Sequence, residues 1–102
     1  MQLVVDEFGG VRLENREIFT EFAVHAPVGC ALDEVGRALA VDAMGEIVDG
    51  HAWISAEAVT RLADAEGADG GWRSGFEAMR EYARGKGWLR ADGAIRAHIE
   101  YY

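Results

Sequence analysis

Apolar residues recur along this chain with two different periods, and the switches between the periods mark its elements. Trp72, Phe76, Met79 and Ala83 stand at i, i+4, i+7 and i+11, which at about 100° per residue places them in one narrow stripe. A helix is predicted from Trp72 to about Lys86, with Gly85 or Gly87 supplying the left-handed residue that commonly closes one. Arg73, Arg80 and Arg84 repeat the spacing a quarter-turn away, and Glu77 between them can pair with Arg73 and Arg80. Leu32, Val35 and Leu39 give a second helix from about Ala31, with Asp33 and Glu34 in its first turn, where acids complement the helix dipole. Gly36 inside it weakens the helix by about 1 kcal/mol relative to alanine, and close packing is the expected reason for it. Val59, Leu62 and Ala63 give a third helix from about Ala56 to Glu66, with Ser55 as its N-cap candidate and Gly67 as its stop. Ala68–Gly71 then reads as a flexible link.

Elsewhere the period is two. Ile95, Ala97, Ile99 and Tyr101 alternate with Arg96, His98, Glu100 and Tyr102, so the first set points inward and the second toward solvent. Asp92-Gly93 joins this strand to Trp88–Ala91, and Asp49-Gly50 joins Glu46–Val48 to His51–Ile54. Both are strong signals for two-residue hairpins. Gly9-Gly10 between Leu3/Val5 and Val11/Leu13 marks another. Asn15-Arg16 then turns into a strand through Ile18, Thr20, Phe22 and Val24, completing a three-stranded meander, with Phe19 on its polar side as a lone aromatic or a second contact surface. Pro27 ends that strand. The sum is an α+β fold in a single domain, 1–102: a mainly antiparallel sheet from three hairpins packed against about three helices.

Composition narrows the class of function. Half of the residues are apolar, too many for a disordered chain, yet no run approaches the length of a membrane span. The opening MQLVVDEFGG lacks a signal peptide's basic start and long apolar centre. A single cysteine, Cys30, makes no internal disulfide, so a cytoplasmic setting is expected. Arginine outnumbers lysine nine to one, as in GC-rich bacterial coding. A net charge of −8 disfavours nucleic acid and anionic lipid as partners. The charge is uneven: residues 1–71 hold four arginines against fourteen carboxylates (−10), and residues 72–102 hold six cations against four (+2).

Residues 51–102 run strand, capped helix, linker, longer helix and Asp-Gly hairpin. This order resembles a winged helix, with Ala56–Glu66 as its second helix and Trp72–Lys86 where a recognition helix would lie. The resemblance implies a nucleic-acid-binding regulator, and it stands as the second functional reading.

The first reading is a small bacterial protein without catalytic machinery or cofactor, acting by self-association or by binding a protein partner. Its contact residues are expected to be Arg73, Arg80 and Arg84 on the helix ridge, with Arg96, His98 and Tyr102 on the outer hairpin face. The last strand is expected at a sheet edge, whose unpaired N–H and C=O groups would pair two copies into a homodimer. Arginines on a solvated helix face usually have no such role, and the bland reading is that they only pair with neighbouring acids.

The sequence also holds residues for three chemical alternatives. Asp49 and His51 would meet His98 and Glu100 if their strands were neighbours, a set suited in kind to a metal, though no spacing motif supports it. Cys30 with His25 or His51 would make a nucleophile–base pair, against the usual role of a lone cysteine as a small hydrophobe. A small acid/base enzyme or ligand carrier would place His51 or His98 beside Glu100 in a pocket lined by Trp53 and Trp88.

Overall fold

A computed structural model covering all 102 residues shows an α+β fold. Six strands and three helices follow the order β1 (Gln2–Val5), β2 (Val11–Glu14), β3 (Ala23–Ala26), α1 (Leu32–Val41), β4 (Gly45–Val48), β5 (His51–Ile54), α2 (Ala56–Ala65), α3 (Gly70–Lys86) and β6 (Ile95–Tyr101).

The helices lie where the 3.6-residue period puts them. Ser55 Oγ accepts from the N–H of Ala58 at the start of α2. At α3 the expected link is instead a cap: Asp69 Oδ1 accepts from the N–H of Trp72 at 3.0 Å. That bond draws Gly70 and Gly71 into the first turn, because a capping side chain satisfies a donor that has no partner inside the helix. Gly87, at φ +77°, closes the other end. Gly36 is not tightly packed: a Cβ there would meet Ile47 Cγ1 at 3.5 Å, an ordinary contact.

The three turns differ. Asp49 and Gly50 both have positive φ, as a two-residue type I′ hairpin requires, and β4 pairs antiparallel with β5 through it. The first hairpin turns over a longer loop, from Asp6 to Gly10. Asp6 Oδ1 accepts from the N–H groups of Phe8 and Gly10 inside that loop, and Phe8 at its tip is 95% exposed. At Asp92-Gly93 only Gly93 has positive φ. The strand expected at Trp88–Ala91 reduces to one bridge, Leu89 to Ile95. The third expected hairpin is therefore a single bridge on one side.

The sheet is mixed, not mainly antiparallel, and its strand order is β2-β1-β3-β6-β5-β4. β1–β2, β4–β5 and β5–β6 are antiparallel, while β1–β3 and β3–β6 are parallel. The predicted meander fails because residues 15–22 do not form a strand. They run back across the start of α3 to the beginning of β1. The Met1 amino group donates to the carbonyls of Ile18 and Thr20, and Trp72 Nε1 donates to the carbonyl of Arg16 at 2.9 Å. Carbonyls held in this way have no need of a ladder, and Phe19 packs beside Trp72 rather than on the sheet.

β6 is interior to the strand order, which overturns the expectation that the last strand is an edge. It is shared along its length. Ile95–Ala97 pair with β5, and His98–Tyr101 pair with β3. On the flank that β3 does not reach, the N–H of Arg96 donates to the carbonyl of Trp88. The change of partner between Ala97 and His98 makes a seam in the sheet.

One hydrophobic cluster of 21 buried residues draws on all three helices and on every strand except β4. Leu3, Val24, Val35, Leu39, Ile54 and Val59 are fully enclosed, and burial of such side chains stabilises a fold by about 1.5–3 kcal/mol each. No helix is long and apolar enough to cross a membrane.

Candidate functional site

The seam in β6 opens into a pocket of about 420 Å³. Each of its walls follows from a feature of the fold already described. α3 contributes Met79, Tyr82 and Ala83, the loop before β3 contributes Phe19 to Phe22, and the strands contribute His51, Ile95, Arg96 and His98. Trp88 completes it: its backbone is fixed by the bond from Arg96 N–H, and its ring stands edge-on to Tyr82 at 6.2 Å between centroids. Phe19 reaches its place because Gly75 on α3 has no side chain to exclude it.

The basic groups of the pocket lie on β5 and β6, and side chains at alternate strand positions share a face. The pairing of Ala52 with Ala97 sets His51 across from His98, and both line the pocket. Beyond them, Glu100 accepts from His98 Nε2 at 2.9 Å through one carboxylate oxygen. Its other oxygen meets His25 Nε2 on β3 at 2.7 Å. An ionised carboxylate only accepts, so both imidazoles present Nε2–H to it, which leaves His98 Nδ1 uncommitted. Those two bonds, that from His98 first, hold the Glu100 carboxyl below its ordinary range. His51 thus stands across from His98, and His25 stands across from Glu100 two residues farther along β6.

Arg96 is exceptional among the arginines. The other eight arginines direct their guanidinium groups to a carboxylate or a backbone carbonyl. Arg96 has no such partner; its guanidinium lies 5.8 Å from the centre of the Trp88 ring, the arrangement of a cation over an aromatic face. Glu21 is the one carboxylate lining the pocket.

The six residues singled out from the sequence are therefore divided. Arg96 and His98 meet in the pocket. Arg73 turns away from Glu77 and pairs with Asp64 of α2 at 2.6 Å. Arg80 pairs with Glu77 as expected, and its Nε is buried without a partner. Arg84 pairs with Glu81. Tyr102 lies about 13 Å along the strand from His98, where its hydroxyl donates to the carbonyl of Val5.

The chemical alternatives fare differently. Asp49 sits in its turn, and no three His, Cys, Asp or Glu side chains converge to hold a metal ion. Cys30 has no histidine partner; its thiol lies 3.9 Å from Glu34. Desolvation first, and then Glu34, push that thiol up from its ordinary value, the reverse of what a helix start alone would do. Trp53 belongs to a separate hollow, under the guanidinium of Arg90, which bridges Glu46 and Asp92. A pocket is lined by Trp88, His51 and His98, with Trp53 and Glu100 outside its lining. Phe22 and Tyr82 carried no sequence signal for a site, whereas Phe19 did, as an aromatic on the wrong side of a supposed strand.

No protein-family model, no curated protein and no solved structure matches this chain.

Proposed function

We propose that this chain is a non-catalytic binding module that takes a small amphipathic molecule in the pocket at the β6 seam. The observation that carries the reading is the combination of a 420 Å³ volume, within the range of roughly 300–1,000 Å³ of small-molecule sites, with aromatic walls and few polar groups. Phe19, Phe22, Tyr82 and Trp88 supply apolar surface. His51, Arg96 and His98 supply orientation. The test is amide and side-chain NMR during a screen of small aromatic fragments of either charge and of none. Shifts concentrated at the Trp88 indole, His98 and the 19–22 loop support the reading; a screen that moves none of them ends it.

A second reading, self-association or a protein partner, is favoured by exposed apolar side chains at the other end of the sheet. Phe8 and Val28 are 95% and 75% exposed, and the N–H of Val28 donates to the carbonyl of Tyr102. The parallel pairing of β1 with β3 brings the segments that carry Phe8 and Val28 to one end of the sheet, and contiguous exposed apolar surface marks contact sites. Light scattering across a concentration series tests this: a Phe8→Ser, Val28→Ser double variant lowers the apparent mass of a self-associating chain. A wild-type chain that stays monomeric throughout removes self-association. The nucleic-acid reading keeps the support of its element order, but the arginines of α3 are engaged by Asp64, Glu77 and Glu81. It stands or falls on duplex binding at low salt, which phosphate contacts would make steeply salt-dependent.

A further inference from the structure

We infer that the ligand of this pocket is an aromatic monocarboxylate, held by its carboxylate at Arg96 and by its ring between Trp88 and the Phe19–Phe22 loop. The inference rests on the pocket being the binding site. Its basis is the Arg96 guanidinium. In a chain of net charge −8, carboxylates are abundant, and seven of the other arginines have taken one. Arg61 uses the carbonyl of Asp42. Arg96, exposed to solvent, is the one arginine whose fork of donors meets no protein acceptor, and it lines the pocket.

A guanidinium has five donors and no acceptor, so the complementary group is an anion with two coplanar oxygens, met in a bidentate pair. The Trp88 face beneath it at 5.8 Å limits the directions in which the fork can point. His51 and His98 flank the same wall and offer no negative charge. Glu21 does, from the loop wall, and it disfavours a ligand with a second anionic group. Of the remaining lining, Phe19, Phe22, Met79, Ala83, Ile95 and the Tyr82 ring offer apolar surface, and only the Thr20 and Tyr82 hydroxyls add uncharged hydrogen-bonding groups. One negative charge on a flat apolar body satisfies all of these walls at once.

Three probes of one shape separate the charge from the shape: 2-naphthoate, 2-naphthamide and 2-naphthylmethylammonium, each titrated calorimetrically into the full chain. The expected result is that naphthoate binds at least tenfold more tightly than the other two. Arg96→Gln brings naphthoate to the level of naphthamide and leaves naphthamide unchanged. Arg96→Lys, which keeps the charge without the fork, falls between. Equal binding of naphthoate and naphthamide by the wild type overturns the anion inference and leaves the pocket reading standing. Tighter binding of the ammonium, or a preference for naphthoate that survives Arg96→Gln, overturns it as well. Failure of all three probes to bind removes the pocket reading and the inference with it.

Discussion

The ring of Phe19 occupies the space that a side chain on Gly75 would fill: a Cβ built on Gly75 would stand 2.5 Å from Phe19 Cζ. Gly75 lies in the interior of α3, where glycine ordinarily weakens a helix by about 1 kcal/mol relative to alanine. Here the gain from alanine is smaller than the loss, because an overpacked contact costs roughly 1–3 kcal/mol. Gly75→Ala is therefore expected to destabilise the fold, by about 1 kcal/mol on balance, and to displace a wall of the pocket. Adding Phe19→Ala should remove the clash and return the helix gain. Denaturant titration of the two single variants and the double variant measures the coupling; additive effects would show that the two residues do not touch.

Gly36→Ala should have the opposite sign. The added methyl meets Ile47 at an ordinary distance, so nothing offsets the reduced entropy of the unfolded chain. A gain of about 0.5–1 kcal/mol is expected. A loss of stability on the same titration would mean that α1 and β4 pack more closely than the structure shows.

Asp69→Ala should cost about 1 kcal/mol, the usual effect of removing an N-cap acceptor. Its consequence should be local, since the bond it removes is to Trp72 N–H. Faster hydrogen exchange confined to the first turn of α3 checks this. Ser55→Ala is the parallel case for α2.

The helices and the Asp49-Gly50 turn were legible in the sequence because their causes are local. A stripe at 3.6-residue spacing, a capping side chain and two residues able to adopt positive φ each act within a few positions. The parallel pairings of β3 with β1 and β6 left no such trace, since the strands they join are distant in sequence. Residues 17–24 alternate as a strand does, yet Ile18 is 51% exposed and Phe19 faces Trp72, because a loop lying across a helix also has an inner and an outer side. Trp88, His51 and His98 were legible as candidate lining residues of a pocket. Its location was not, because it depends on where β6 changes partners. Nothing in the sequence separates Arg96 from the other arginines; that it alone among them goes unpaired is a property of three-dimensional neighbours.

Stability in acid should depend on Glu100. Its carboxyl is held below its ordinary value of 4.5, by the bond from His98 first and then by that from His25. A carboxyl depressed in the folded state favours the fold at every pH above its unfolded value, and that contribution is lost as pH falls through the folded value. The wild type should therefore lose melting temperature more steeply between about pH 5 and pH 3 than Glu100→Gln does. Parallel acid limbs for the two proteins would show that the histidine bonds do not persist in solution.

Trp72 ties the pocket loop to the core, and its two contributions can be separated. The ring stacks on Phe76 at 4.9 Å and approaches Phe19 at 6.3 Å, while the indole N–H donates to the Arg16 carbonyl. Trp72→Phe keeps most of the apolar surface but removes the donor, leaving a carbonyl that was partly withdrawn from water. The expected cost is about 1–3 kcal/mol for the unsatisfied acceptor, besides the lost ring area. Because that carbonyl belongs to the segment that carries Phe19 into the pocket, the variant should also bind pocket ligands more weakly than its stability loss alone implies, at temperatures where it is fully folded. Calorimetric titration of 2-naphthoate well below the melting transition distinguishes the two effects. An affinity equal to that of the wild type would mean that the 15–22 segment holds its course without the indole, through the Met1 amino group and the Arg16–Glu66 pair alone.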